Sequence, residues 1–204
     1  MRLKMNGDDY YFKDGEDEEI LNDIIAKKPD ILVVCLGAPK QEKWIYKNLE
    51  KAANEKDDIA VEKMAYAQYI AGMGFSNVGL GIVHSMAHSL GAYFDTPHGL
   101  ANALLLPHVL RFNGKVCPEL FENMGRAFGL DMDNTSDEEA IDMVVGAVQD
   151  LSRRLNIPQT LRELGIPEEM FGQLANQAIN DACTPGNPRE VTVDDIINIY
   201  KAAY

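Results

Sequence analysis

The sequence predicts a mainly α protein: an all-helical domain over about residues 54–204, preceded by a short α/β fragment reading helix–strand–helix over 1–53. Three observations carry that expectation. Beyond residue 54, apolar residues recur at helical spacing in one segment after another. Gly, Pro, Asn and Asp breakers separate those segments. No convincing β run follows residue 50, whereas ILVVCLG at 31–37 is a short apolar run of the kind buried in parallel sheets.

Taken in order, DEEILNDIIAKK (17–28) carries apolar residues at helical spacing, with acidic residues in its first turn. Pro29-Asp30 breaks it before ILVVCLG, Gly37-Ala38-Pro39 turns the chain, and KQEKWIYKNLEKAA (40–53) reads as the next helix. Ligands of such sheets bind at the carboxyl ends of strands, here the GAPKQE loop. One strand alone makes no stable sheet. A polar stretch around LEKAANEKDD joins this fragment to the helical part.

There, helices are expected in DIAVEKMAYAQYIAGMGF, NVGLGIVHSMAHSLGAYF, GLANALLLPHVLRFN, CPELFENMGRAFGL, DEEAIDMVVGAVQDLSRRLN, PEEMFGQLANQAIND and TVDDIINIYKAAY. Ser136 and Thr192 stand at two of the starts as N-caps. About 150 residues is enough for an independent core.

Composition narrows the function classes. The formal net charge is -13, and no Lys/Arg-rich run occurs, which argues against nucleic acid or an anionic membrane as partner. No apolar run approaches the roughly 20 residues of a membrane span, and the N-terminus shows no apolar signal core. The three cysteines, Cys35, Cys117 and Cys183, form no CxxC pair. A reducing cytoplasm is the expected setting.

The histidines are the most informative feature. Three of four fall between positions 84 and 98. His84 and His88 are four apart and share a helix face; His98 follows across a Pro-containing turn. Neutral imidazole is the usual nitrogen ligand for iron or zinc. His84 and His98 are therefore candidate ligands of Fe2+ or Zn2+, with His88 beside them. The residues alone leave open that these are helix histidines satisfied by neighbours. Ser85 occupies the Glu position of HExxH, so a zinc-protease mechanism is unsupported. GMGFSN and GLGIVH contain Gly-x-Gly but follow no strand, and they read as helix-packing glycines. Phe75, Phe94 and Cys183 read as core, with pocket lining as the alternative.

QYIAGMGFSNVGLGIVHSMAHSLGAYFDTPHGLANALLLPHVLRFN and the later CTPGNPRE closely resemble the C-terminal half of the iron-containing (group III) alcohol dehydrogenases, in the branch of the lactaldehyde reductases. The resemblance runs from about residue 54 to Tyr204. It implies an all-helical metal domain, frequent dimers, and NAD(P)-linked oxidation of small alcohols or diols, or the reverse reduction of aldehydes. It places His84 and His98 as metal ligands and His88 as the catalytic histidine between metal, substrate and nicotinamide. The family's remaining two ligands, an Asp and a His four apart, fall by offset near Asp17–Leu21, where no His occurs. The family's Gly-rich pyrophosphate loop has no counterpart, so weak or no dehydrogenase activity is expected of this chain.

The first fifty residues resemble another family. DGEDEEILNDIIAKKPDILVVCLGAPKQEKWIYKNL, and LGAPKQE above all, is similar to the bacterial N-acetylmannosaminyltransferases of teichoic-acid type. That resemblance implies a nucleotide-sugar loop containing Gln41 and Glu42, against the plain alternative of a solvated strand-to-helix loop. Two fragments of different origin, joined, are the economical interpretation. A non-catalytic helical module that self-associates through apolar faces is the third expectation.

Overall fold

In the computed structural model, the described residues are 2–5, 8–11 and 57–204. The expected helix–strand–helix over 17–53, with Gln41 and Glu42, lies outside them, as does the Asp17–Leu21 stretch. The first eleven residues hold an element that the helix–strand–helix reading does not contain. Strands β1 (Arg2–Met5) and β2 (Asp8–Tyr11) pair antiparallel, with Arg2 opposite Tyr11 and Met5 opposite Asp8. The intervening sequence Asn6-Gly7 is the strongest short-range hairpin signal there is.

The remainder is helical, as expected. Seven α-helices follow among the described residues: α1 (Asp58–Val78), α2 (Ile82–Phe94), α3 (His98–Gly114), α4 (Pro118–Ala127), α5 (Asp137–Arg154), α6 (Phe171–Ile179) and α7 (Val193–Ala202). Each boundary has a local cause. Gly79 sits at φ 86, where only glycine is unstrained, and it separates α1 from α2. The helix expected from Asn77 onward therefore starts only at Ile82. Pro118 opens α4 at a position where its missing N–H costs nothing. Ser136 and Thr192 each build a full capping box, with Glu139 and Asp195 answering from the third helical position.

The main core joins α2, α3, α6 and α7. On α2, Ile82, Met86 and Leu90 recur every four residues and are fully buried. They meet Leu105, Phe171, Leu174, Ile196 and Tyr200 in one cluster. Tyr200 stacks on Phe171 with ring centroids 5.5 Å apart, and its hydroxyl donates to the Met86 carbonyl at 3.0 Å. Burial of each such large side chain contributes about 1.5–3 kcal/mol. A second cluster, Phe121, Met132, Ile141, Val144 and Val145, lies between α4 and α5. Phe94 packs against the main core, in agreement with its reading as a core residue.

Helix α1 differs from the rest. Ala60 and Ala67 are buried, but Ile59, Val61, Tyr66, Tyr69 and Val78 are exposed, Val78 to 80%. Among the described residues, none of α1 belongs to either buried cluster.

Candidate metal centre

Helical periodicity places His84 and His88 one turn apart, beside the buried Ile82–Met86–Leu90 row of α2. The helix ends at Asp95, which adopts the left-handed conformation at φ 52. Thr96 is buried, Pro97 fixes the entry to α3, and His98 is its first residue. The chain thus turns back and delivers a third imidazole onto the first two. The His84 and His98 ring centroids lie 5.4 Å apart, those of His88 and His98 5.2 Å and nearly parallel, and those of His84 and His88 6.3 Å. One turn into α3, Asn102 Nδ2 donates to the His98 carbonyl at 2.9 Å and approaches its ring at 3.2 Å.

A second element reaches the site from far along the sequence. After α6 the chain turns through Asp181–Gly186, and the Asp181 carboxylate lies 2.9 Å from His88 Nδ1. A carboxylate only accepts, so His88 carries its hydrogen on Nδ1 and leaves Nε2 as a free acceptor. The other Asp181 oxygen accepts from the Cys183 N–H at 2.8 Å and from the Ser85 hydroxyl at 3.3 Å. Ser85, which departs from HExxH, is fully buried and serves to hold this carboxylate. Thr184 Oγ1 donates to the Ala178 carbonyl at 2.7 Å and lies 2.8 Å from Ser85 Oγ.

The rest of the turn is fastened to both helices that carry histidines. Asn187 and Asn113 exchange amide hydrogen bonds at 2.9 Å in each direction, and Asn187 Oδ1 also accepts from Ile82 N at 3.4 Å. Arg189 stacks over Phe112 and donates to its carbonyl at 2.9 Å. Gly186 approaches the Leu80 carbonyl so closely that a Cβ there would meet its oxygen at 2.1 Å. CTPGNPRE is thus a clamp that fixes Asp181 and Cys183 beneath His88.

These surroundings shift the titration of the site. Burial lowers the His84 pKa, and the neighbouring His98 and His88 lower it further against the opposing pull of Asp181. The balance favours the neutral form of His84, the form that binds a metal. For Asp181, partial burial works upward, but hydrogen bonds from the Cys183 N–H and from His88 outweigh it and hold the carboxyl below its usual range. Partial burial and the hydrogen bond with Asp181 raise the Cys183 thiol.

The residues present fit a divalent ion in part. His84 Nδ1 is buried without a hydrogen-bond partner, the kind of orphaned donor atom that a cation satisfies. Two further imidazoles stand beside it. They do not fit a dinucleotide among the described residues. Gly72 and Gly74 lie inside α1, and Gly79 and Gly81 lie in a helix-to-helix turn, so no strand-to-helix phosphate loop exists there. The packing role expected of these glycines does not hold throughout. A Cβ on Gly74 would meet nothing within 4 Å, and Gly79 is a turn residue. The side chain of Phe75 lies outside the described set.

Comparison with known proteins identifies the family. Residues 38–204 match the model of the Fe-containing alcohol dehydrogenase family, C-terminal, and residues 3–64 match that of the glycosyl transferase WecG/TagA/CpsF family. Lactaldehyde reductase of Escherichia coli (strain K12) is 50% identical over 152 residues, which is 74% of this chain and 39% of the relative. The 1,3-propanediol dehydrogenase of Citrobacter freundii is 41% identical over 161 residues, 78% of this chain and 42% of the relative. Among solved structures, a 1,3-propanediol oxidoreductase superposes with a TM-score of 0.78 at 40% identity, over 82% of this chain and 44% of that one. The chain thus spans about two-fifths of the length of these relatives. From the histidine-bearing helices through the CTPGNPRE clamp, this chain belongs to the iron-containing alcohol dehydrogenase family.

Proposed function

We propose that the face formed by His84, His88 and His98 is the metal-bearing half of an NAD(P)-linked oxidoreductase active site for small alcohols or diols and their aldehydes, such as 1,2-propanediol and lactaldehyde. The observation that carries this reading is the convergence of three imidazoles from two helices, with a buried, unpartnered nitrogen on His84. His84 and His98 would hold Fe2+ or Zn2+. Such an ion supplies Lewis-acid polarisation of an alcohol oxygen.

The chain's own residues do the rest. Asp181 keeps the His88 proton on Nδ1, so Nε2 is the atom able to take up the proton that an alcohol must lose. The negative carboxylate stabilises the imidazolium that results. The buried core face of α2 fixes the ring positions.

Metal content per chain tests this. Protein purified without a His tag is expected to carry near-stoichiometric iron or zinc, and His84→Ala to lose one equivalent of it. Metal-free wild type would overturn the reading. The 204-residue chain by itself is expected to show little or no NAD(P)H turnover, because no phosphate loop accompanies the metal face among the described residues.

A second reading has its own support. The exposed apolar residues of α1 are a surface suited to cover by another polypeptide, a second copy of this chain included. Among the described residues no helix is long and apolar enough to cross a membrane. A cytoplasmic setting, resting on the unpaired pattern of the three cysteines, and the absence of nucleic-acid partners, resting on net charge, remain part of this proposal. A nucleotide-sugar loop at Gln41 and Glu42 would make the N-terminal part a transferase fragment. Calorimetry with a UDP-sugar separates that reading, and a flat titration removes it.

A further inference from the structure

We propose that His88, Asp181 and Cys183 form a cation site of their own, suited to Zn2+, which needs neither His84 nor His98. Among the described residues, one ligand atom from each of these three, the His88 ring nitrogen, an Asp181 oxygen and Cys183 Sγ, all lie within 4.8 Å of one another. Zinc bonds of about 2.0–2.3 Å set tetrahedral ligands about 3.3–3.8 Å apart, so closure needs a contraction of about 1 Å at most. His88 Nδ1 and Asp181 Oδ2, at 2.9 Å, are already within that spacing.

The donor chemistry selects the ion. One thiolate and one carboxylate cancel a double positive charge, and the neutral imidazole completes a nitrogen, oxygen and sulfur set. Thiolate favours zinc over calcium, magnesium or manganese. Three protein ligands leave one coordination position open, as in zinc sites that bind an exchangeable ligand. Protons balance simply. Entry of the ion releases the Cys183 thiol proton, and the His88 hydrogen moves to Nε2 when Nδ1 becomes the ligand.

The scaffold is built without the ion. Ser85 and the Cys183 N–H hold the Asp181 carboxylate, and the Asn113–Asn187 pair and the Gly186–Leu80 contact fix the turn. The His88 side chain is 40% exposed, so solvent ions reach it. A site based on His84 and His98 has two protein ligands; this one draws three from α2 and a single turn. It does not rest on the dehydrogenase reading and uses a different pair of partners for His88.

Cobalt(II) substitution into the chelator-stripped full chain tests the site, since sulfur coordination gives cobalt a near-ultraviolet charge-transfer band that nitrogen and oxygen ligands do not. The expected result is such a band in wild type and in the His84→Ala/His98→Ala double variant, and its displacement by zinc. Cys183→Ser should abolish the band while circular dichroism stays native. Asp181→Asn should weaken cobalt binding by more than the roughly 10–100-fold that loss of an outer hydrogen-bond partner costs a metal site. Absence of the band in wild type, or its survival in Cys183→Ser, overturns the proposal. A cobalt spectrum without sulfur character that disappears in the His84→Ala/His98→Ala variant also overturns it, yet leaves the proposed dehydrogenase metal site standing.

Discussion

Tyr200 shows how one buried group couples the fold to pH. Its ring is fully buried against Phe171 of α6, and burial drives its phenol well above the usual value near 10, against a smaller lowering effect of Ser89. The unfolded chain loses this proton near pH 10, whereas the folded chain keeps it. The unfolded state then binds fewer protons, so stability from Tyr200 is complete below pH 10 and falls as pH rises above it. Chemical denaturation followed between pH 8 and 11.5 should show that decline, and Tyr200→Phe should flatten it. The same variant loses the hydrogen bond to Met86, worth about 0.5–1.5 kcal/mol at pH 7. His84 and His88 were legible in the sequence for the opposite reason to Asp181. Two histidines four apart announce a shared face, while the contact of Asp181 with His88 spans 93 positions and leaves no local pattern. Ser85 was visible only as a departure from a motif, and its partner across the fold explains it.

At the scale of elements, local chemistry and tertiary context divide the credit. Helices α2 to α7 follow the apolar spacing because each buries one face against a neighbour, whereas α1 shows the spacing but contributes nothing to either cluster among the described residues. The ends were readable where a cap is chemically marked, as at Ser136 and Thr192. They were not readable at Asn77–Gly81, where helical residues continue on both sides and the positive φ of Gly79 decides the break. The turn-rich stretch 157–166 shows no pattern to read, yet Leu161 and Ile166 are fully buried in the main core and Leu161 N–H donates to the Ala203 carbonyl at 2.8 Å. Ser136→Ala removes the acceptor of the Glu139 N–H and should destabilise the fold by about 1 kcal/mol in urea melts, with the metal face unchanged. An equal loss in metal content would show that α5 and the site are coupled.

For the molecule as a whole, the unburied apolar side chains of α1 and the strong negative charge act against each other. Ile59 and Tyr69, both more than 60% exposed, favour association, while a net charge of -13 on every copy opposes it. Salt screens only the second effect, with a Debye length of about 8 Å at physiological ionic strength. Light scattering should therefore give a mass above 22.7 kDa that grows with added salt, and Tyr69→Glu should reduce it. A mass that falls with salt would mean that charge pairs, not the apolar face, join the copies.

The asparagine pair that fastens the clamp also sets how the site ages. Deamidation of an asparagine begins when the next residue's backbone nitrogen attacks the side-chain amide. Asn187 precedes Pro188, which has no N–H to lose, and it is chemically durable. Asn113 precedes Gly114, the least hindered successor, and only its place in α3 and its two hydrogen bonds to Asn187 restrain it. Conversion of Asn113 to aspartate would turn a donor into an acceptor facing Asn187 Oδ1, loosening the turn that holds Asp181 and Cys183. The lifetime of the proposed metal face is thus expected to depend on one amide more than ten residues in sequence from any histidine that defines it.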